Sequence, residues 1–272
     1  MDYQQAQMVL QYSSSMSVEN INLKLDINLD NTGFCKWGCC MLPDGKFAFT
    51  ETLNNLVRVL NTDGSKDFEV KTKYRAFDIA YINVDNTLAV TSGTIGRCIT
   101  IIDLQKKQIK KEIFGDSNYH GLAVMDHLLI CSVDKEGIQR FNPNDNLNSI
   151  IVQEEFPKMC YIATFDDKIY HTNNKTNSVT CYDLHGNVQW TFEKDSVLKR
   201  PFGISVDNDG KVYVLGRLST NVVVISADGQ YHKEILTSSD GLFEPLSLYY
   251  NRSTNQLLVS NNNQRAMLFS LI

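Results

Sequence analysis

Residues 201–214, PFGISVDNDGKVYV, have the pattern of two short strands joined by a tight turn. Ile204 and Val206 alternate with polar or small neighbours, Asn208-Asp209-Gly210 carries turn-forming residues, and an apolar segment, Val212-Tyr213-Val214, follows. A related stretch, WGCCMLPDGKFAF, occupies residues 37–49, about 165 residues earlier. The same hairpin used twice at this separation predicts an internal repeat.

The hairpin pattern recurs in six places along the chain, each giving strand, tight turn and strand. The six segments are 38–50, 77–91, 120–132, 160–172, 202–215 and 246–260. A third strand follows each hairpin, and the polar residues that end the first five of these strands are 39 to 43 residues apart: Asn61, Asp103, Asn142, Asp183 and Ser226. A less regular fourth strand fits between units. Four antiparallel strands per unit of this length are typical of propeller blades. The sequence therefore predicts an all-β fold, a six-bladed β-propeller of four-stranded antiparallel blades.

The two ends of the repeat predict how the ring closes. The sixth unit stops at Ile272 after its third strand, whereas residues 21–29, INLKLDINL, form an alternating segment with no place in the first unit. An N-terminal strand that pairs with the last unit would cover an exposed sheet edge. We therefore expect residues 20–272 to form the propeller, closed by the N-terminal strand, and residues 1–19 to be a linker or the trailing end of an upstream region.

Composition limits the function classes. The chain of 272 residues has a formal charge of −5, far from the basic balance of a domain that depends on phosphate contacts. No apolar run is long enough to span a membrane and the first residues lack the features of a secretory signal, so we expect a cytoplasmic protein with no membrane partner. The seven cysteines include no paired C-x-x-C motifs at zinc spacing, which favours buried free thiols with neither metal nor cofactor.

The unit that begins at Pro201 resembles the NHL repeat, whose units run approximately Pro-x-Gly-Ile-x-Val-Asp, a turn and an apolar strand. Pro201-Phe202-Gly203-Ile204-Ser205-Val206-Asp207 is the best copy, and His120-Gly121-Leu122-Ala123-Val124 is the next. The first unit is similar to the opening blade of NHL-like regions at the C-termini of tripartite-motif (TRIM) proteins, especially the invertebrate sets. Units two, four and six depart from the pattern, with Asp78, Met159 or Cys160, and Pro245 at the glycine position. The resemblance implies recognition of a substrate or of RNA for a ubiquitin ligase whose RING, B-box and coiled-coil modules lie upstream.

Knowledge of the propeller fold places the loops between blades, and those between second and third strands, on one face. Residues just before the glycine position, which include Trp37, Phe77, His120 and Phe202, should surround the central channel on this recognition face. They either form a binding surface or fill the channel as core. Cations in the same loops complete the candidate partner-binding set, which comprises Trp37, Arg75, Phe77, Arg97, His120, Lys158, Lys175, Arg200, Phe202, Arg217 and Arg265.

Three functions are compatible with this sequence. The leading interpretation is a non-catalytic domain that recruits a protein partner or ubiquitination substrate, with no small-molecule substrate. RNA binding through the same face is the alternative, disfavoured by the balanced charge of that face. The third is a metal-dependent hydrolase or lyase, for which His120, His171, Asp134 and Glu136 are the only candidate ligands that could converge. Arg200, Arg217 and Phe202 should share one sector of the recognition face, at which truncation should weaken binding.

Overall fold

The computed structural model of the protein describes residues 17–30, 32–145 and 147–272, so most of the predicted linker lies outside the described residues. The described chain begins with a 3-10 helix, Val18–Asn20, and β1 (Leu23–Leu29). The first two blades then follow: β2 (Cys39–Met41), β3 (Phe47–Glu51), β4 (Leu56–Leu60) and β5 (Lys66–Lys71); β6 (Ile79–Ile82), β7 (Thr87–Thr91), β8 (Cys98–Asp103) and β9 (Gln108–Phe114).

Blades three to five continue in the same order. Their strands are β10 (Tyr119–Met125), β11 (Leu128–Val133), β12 (Gly137–Phe141) and β13 (Asn148–Val152); β14 (Ile162–Phe165), β15 (Lys168–Asn173), β16 (Ser178–Asp183) and β17 (Val188–Glu193); β18 (Pro201–Val206), β19 (Val212–Gly216), β20 (Asn221–Ile225) and β21 (His232–Leu236). A second 3-10 helix, Ser238–Asp240, precedes blade six, which holds β22 (Ser247–Asn251), β23 (Gln256–Ser260) and β24 (Ala266–Leu271).

Each blade is a four-stranded antiparallel sheet, which confirms the predicted six-bladed ring. The predicted ring closure is also confirmed, since β1 is the outermost strand of blade six and pairs antiparallel with β24. Leu29 opposes Ala266 in this pairing and is almost completely buried. β1 and the last three strands of the chain thus share one sheet, and the hydrogen bonds between β1 and β24 close the ring of blades. Among the described residues, no helix is long and apolar enough to cross a membrane.

The hairpin of blade five shows why the repeat folds as it does. Ile204 pairs with Val214 and Val206 with Val212, so the apolar residues lie in register. The Asp207 carboxylate accepts the main-chain N–H groups of Asp209 and Lys211, each at 2.9 Å. The aspartate therefore organises the turn, and the apolar residues on both sides of it pack into the core between blades.

Threonine hydroxyls join neighbouring blades close to the channel. Thr50 Oγ1 accepts the N–H of Gly38 at 2.8 Å and donates to the carbonyl of Phe77 in the next blade at 2.8 Å. Thr91 Oγ1 repeats this arrangement one blade later, accepting from Asp78 and donating to His120. Each hydroxyl satisfies two buried main-chain groups, one in its own blade and one in the next, and so fixes the spacing between blades.

The backbone also shows which residue holds the glycine position in each blade. A Cβ on Gly38 would lie 2.8 Å from the Cα of Asp78, and one on Gly121 would lie 2.5 Å from the Cα of Tyr161. One on Gly203 would lie 2.8 Å from the Cα of Ser247. The successive blades therefore alternate between glycine and a residue with a side chain: Gly38, Asp78, Gly121, Tyr161, Gly203 and Ser247.

This order corrects the predicted register in blades four and six. The sequence placed Met159 or Cys160 and Pro245 at the glycine position, but Tyr161 and Ser247 occupy it. The Tyr161 carbonyl accepts the N–H of Thr172, and the Tyr161 N–H donates to the Thr172 hydroxyl, as Asp78 does with Thr91. Neither blade has a glycine to mark the position, and the preceding loops differ in length, so the motif alone gave no reference point.

Candidate functional site

Aromatic side chains from successive blades meet in the central channel. The ring centroid of Trp37 lies 5.6 Å from that of Phe77 and 5.5 Å from that of Phe202. Tyr161 lies 5.3 Å from Phe77 and 5.9 Å from Phe202, and its hydroxyl donates to the Trp37 carbonyl at 2.6 Å. His120 meets Phe77 edge-on at 5.6 Å. We call these five residues the aromatic plug, because together they fill the channel on the recognition face.

Burial divides the plug into core and surface. Phe77, His120 and Phe202 are almost completely buried, which favours the channel-core interpretation for these three predicted site residues. Trp37 is half-buried, with part of its ring at the surface. Partner binding by the buried rings stays a prediction. These rings would contribute to it by supporting the side chains at the surface.

Two arginines of blade five cover the plug, next to Phe202, the residue with which the sequence grouped them in one sector. The guanidinium of Arg217 lies 5.4 Å from the ring centroid of Trp37 and 5.3 Å from that of Phe202, while that of Arg200 lies 5.5 Å from Phe202. Burial and the neighbouring Arg200 lower the pKa of Arg217, although it stays charged at neutral pH. We call Trp37, Arg200 and Arg217 the cation–aromatic patch. Large aromatic and arginine side chains together are the composition typical of interface hot spots.

Backbone contacts hold the two arginines in place. Arg200 has φ 52°, a left-handed conformation, and its N–H donates to the side-chain oxygen of Asn177 at 2.8 Å. The N–H of Arg217 donates to the Arg200 carbonyl at 3.1 Å. The loop before β18 and the loop after β19 are thus tied together, so the patch has a defined shape before any ligand binds.

The remaining predicted cations lie outside the patch and are exposed. Lys158 lies 4.0 Å from Asp134, and Arg265 lies 3.2 Å from Asp30. Arg75, Arg97 and Lys175 complete this group. Surface ion pairs of this kind contribute little energy, and the five cations do not join the patch in any cation–aromatic contact among the described residues.

Sequence reasoning missed a set of apolar loop tips on the same face. They are between 45% and 68% exposed and come from the loops around blades five, six, one and two: Phe34, Leu53, Ile95, Leu218 and Phe243. Three of them occupy the same place in the loop between second and third strands, within Thr52-Leu53-Asn54-Asn55, Thr94-Ile95-Gly96-Arg97 and Arg217-Leu218-Ser219-Thr220. In each, the residue two places later has positive φ. An apolar residue at the same place in three polar loops was therefore the sequence pattern that could have indicated these exposed tips.

The residues proposed as metal ligands do not converge. His171 packs its ring 4.0 Å from that of Phe156, and its Nε2 lies 3.4 Å from Ser132 Oγ. The Glu136 carboxylate accepts hydrogen bonds from Ser117 and Gln139. Within the described part of the chain, no group of three or more His, Cys, Asp or Glu side chains could hold a metal ion. The described residues thus do not fit the metal site that a hydrolase or lyase of this kind would need.

Comparison with models of known protein families gives no match, and neither does comparison with curated proteins. Solved structures do match over most of the chain. A Bacteroides thetaiotaomicron protein of unknown function has a TM-score of 0.74 at 12% identity, covering 93% of this chain and 76% of its own. The WD40 β-propeller domain of Doa1 has a TM-score of 0.70 at 14% identity, covering 91% and 97%.

Virginiamycin B lyase from Staphylococcus aureus is also similar, with a TM-score of 0.67 at 15% identity, covering 93% of this chain and all of the lyase. These neighbours include an enzyme and a WD40 domain, and all are far below the identity at which function can be transferred. The likeness therefore shows the propeller fold and leaves function to the residues of this chain.

Proposed function

We propose that this chain is a non-catalytic recognition propeller that binds a protein partner on the face formed by the blade-joining loops. The cation–aromatic patch is the observation that carries this proposal. Arg200 and Arg217 form no ion pair among the described residues, so their remaining N–H donors are available to a carboxylate of a partner. The rigid rings beneath them limit the conformational freedom that binding would otherwise remove.

The apolar loop tips extend the binding surface toward blades six and one. Phe243 is held by Asn261, whose side-chain oxygen accepts its N–H at 3.1 Å, while Lys36 donates to the Asn263 carbonyl. Cys35 accepts the N–H of Thr52 through its carbonyl, next to Leu53. These contacts connect the loops that carry Phe243, Phe34 and Leu53 into one continuous sector. A partner segment with both acidic and apolar residues would match a sector of this composition.

The wider setting is part of the same proposal. The NHL-like motif of blade five supports a TRIM-type role, in which the propeller recruits a cytoplasmic substrate to a ubiquitin ligase. The test of that setting is substrate ubiquitination by the full-length protein with and without residues 20–272. Unchanged ubiquitination after removal of the propeller would refute it, and would leave the binding proposal to be judged on its own experiment.

The binding proposal is tested with an arginine double variant. Arg200→Ala with Arg217→Ala should weaken the affinity of the purified partner at least tenfold, about 1.4 kcal/mol. The matched control is Arg97→Ala with Lys175→Ala, which removes two exposed cations of the same face without touching the patch. Partners would be identified by comparative affinity capture with both variants, and dissociation constants then measured by calorimetry. Equal affinity for the wild type and a folded arginine double variant would place recognition elsewhere.

RNA is the alternative ligand, and measurements on the same variants would distinguish it from a protein partner. A single-stranded oligonucleotide that binds at low salt, with an affinity that falls steeply as salt rises, would replace the protein-partner proposal. The half-buried ring of Trp37, with Arg217 over it, is the feature that could serve such a ligand, since bases stack on exposed aromatic rings. The buried rings Phe77 and Phe202 offer no exposed face for stacking, which is why we favour a protein partner.

A further inference from the structure

The central channel is open on the face opposite the recognition face. A cavity of about 290 Å³ runs along the inner strands of the blades, and the aromatic plug closes its inner end. Its floor is formed by Asp78, Tyr161 and Ser247, the three side chains that depart from glycine in the repeat. At its mouth lie Arg252 and Ser253, in the hairpin turn of blade six. Asp78, Tyr161 and Ser247 supply polar groups at the floor of the cavity.

Asp78 is the acidic group of this floor. Its side chain is only 7% exposed, and each carboxylate oxygen accepts one main-chain N–H, from Ile79 at 2.9 Å and from Leu122 at 2.8 Å. No basic side chain of the described residues forms an ion pair with it. A carboxylate buried against a cavity without a cation is costly unless a ligand supplies the charge. Burial accordingly raises the pKa of Asp78 to about 7.

Arg252 is the basic group at the mouth. Its Nε–H donates to the carbonyl of Val206 at 2.9 Å, and one terminal nitrogen donates to the carbonyl of Thr164 at 2.6 Å. Its guanidinium also lies 4.8 Å from the ring centroid of Phe165. Three of the five N–H donors of the guanidinium have no partner among the described residues. The side chain is thus fixed in position with donors left over.

The separation of the two charges follows from the strands. Thr164 and Val206 each lie three residues along the inner strand from the glycine position, which is the level of Asp78. At about 3.3 Å per residue, the guanidinium is about 10 Å from the carboxylate along the channel. The wall between them is about equally polar and apolar, and its apolar part includes Ala80, Ala123 and Ala163 on three of the blades. The volume is at the lower end of the range for small-ligand sites.

We propose that this channel binds a small linear zwitterion, an amino acid of the ω-amino class, whose ammonium group pairs with Asp78 and whose carboxylate pairs with Arg252. Such a ligand neutralises both groups across the separation of about 10 Å that the strand rise gives, and places its hydrocarbon chain against the alanines. This site lies on the other face from the patch and does not depend on the proposed function. It would add a small-molecule ligand to a chain for which the sequence predicted no small-molecule substrate.

The probe is ω-aminooctanoate, whose extended chain separates its charged ends by about 10 Å. Calorimetry with the intact protein should show saturable binding of this compound, with octylamine and octanoate, which each lack one charge, at least tenfold weaker. Shorter ω-amino acids should bind progressively more weakly. No heat of binding for ω-aminooctanoate at millimolar concentration would overturn the proposal, and so would equal affinity for octanoate.

Two variants keep the result interpretable even if Asp78→Asn fails to fold. Arg252→Gln, in an exposed turn, should reduce the affinity for ω-aminooctanoate about tenfold and leave that for octylamine unchanged. Ala163→Met should block the channel and abolish binding of both. The control is Arg97→Gln, an exposed arginine of the recognition face, which should bind as the wild type does. Unchanged binding in folded Ala163→Met would show that the probe binds elsewhere and would refute the assignment.

The pH dependence of binding distinguishes Asp78 from a nonspecific site. The ionisable groups that face Asp78 are Cys39 and Cys40 on β2, Cys131 on β11, and Tyr161. Burial raises the pKa of Cys39 to about 12 and raises those of the other three as well, so all four stay neutral between pH 6 and 8. With Asp78 half-ionised near pH 7, the affinity should fall about tenfold from pH 8 to pH 6. A flat profile would contradict pairing with this carboxylate.

Discussion

His120 is the member of the aromatic plug whose replacement should be most informative. Its side chain is completely buried against Phe77, and neither ring nitrogen has a hydrogen-bond partner among the described residues. Burial lowers the pKa of His120 to about 4. A phenylalanine has nearly the same shape and no polar atoms. His120→Phe should therefore increase the free energy of unfolding at pH 7.5 by about 1 to 2 kcal/mol, the cost of an unpaired buried polar group.

The same variant should change the response to acid. The folded-state pKa of His120 lies below the unfolded value of about 6.5, so its contribution to stability is complete above that pH and is lost as pH falls. From pH 7.5 to pH 5 this loss is about 2 kcal/mol. Buried His171, whose pKa burial lowers to about 3, loses a similar amount over the same interval.

Asp78 acts in the opposite direction. Its folded-state pKa of about 7 lies above the unfolded value, so it contributes stability that increases as pH falls, by about 2.5 kcal/mol from pH 7.5 to 5. The three groups together contribute a net loss of about 1.5 kcal/mol over this interval. Other shifted groups are the same in both proteins, so His120→Phe should lose about 2 kcal/mol less than the wild type on acidification.

The assay is urea unfolding at pH 7.5 and pH 5, followed by tryptophan fluorescence. His127→Phe is the matched control, because His127 is exposed in the hairpin turn of the same blade and its replacement should leave the difference between the two pH values as in the wild type. If His120→Phe keeps the wild-type loss on acidification, or is destabilised at pH 7.5, then the His120 nitrogens have hydrogen-bond partners in the folded state, which contradicts this prediction.

Three further substitutions test how the ring is held together, each through the midpoint of urea unfolding. Thr91→Val should lower the free energy of unfolding by about 2 kcal/mol, because it removes the hydroxyl that bridges Asp78 and His120. The control is Thr87→Val on the same strand, which should be neutral or stabilising because the buried Thr87 hydroxyl has no partner among the described residues. Leu29→Ala should lower the free energy of unfolding by about 2 to 4 kcal/mol because it loosens β1. The control Lys24→Ala, at an exposed position of the same strand, should lower it by less than about 0.5 kcal/mol. Equal effects of the two substitutions would contradict closure of the propeller by this strand. Gly121→Ala should cost at least about 2 kcal/mol, since its Cβ would lie 2.5 Å from the Cα of Tyr161, and a neutral result would mean that blades three and four can separate freely.

The sequence predicted what depends on local pattern. Alternating apolar residues and turn chemistry recur in every blade, so the number of blades and the strand order could be read from segments such as 201–214. The closing strand was found because 21–29 alternates and the last unit lacks an outer strand. Arg200 and Arg217 were placed together because blade five keeps the motif and its register is certain.

The sequence could not predict what depends on contacts between distant segments. Tyr161 enters the plug from the last position of the loop before β14, and no glycine near it marks that register. The cavity arises only when six inner strands surround one axis, so Asp78 and Arg252, more than 170 residues apart, show no relation in the sequence. Burial of Phe77 and Phe202 likewise depends on Trp37, which comes from another blade.

Tyr161 lies between the two faces of the propeller, so that each face can hold its own site. Tyr161 contributes to the floor of the cavity, while its hydroxyl donates to the carbonyl of Trp37. The guanidinium of Arg217 lies over the Trp37 ring on the recognition face. The layer that it completes is buried and closely packed, with ring centroids between 5.3 and 5.9 Å apart. A ligand on one side therefore meets a fixed floor and a partner on the other side meets a fixed support. The same packing keeps the arginines of the patch away from the carboxylate of Asp78, which can then pair with a charge that enters from the opposite face.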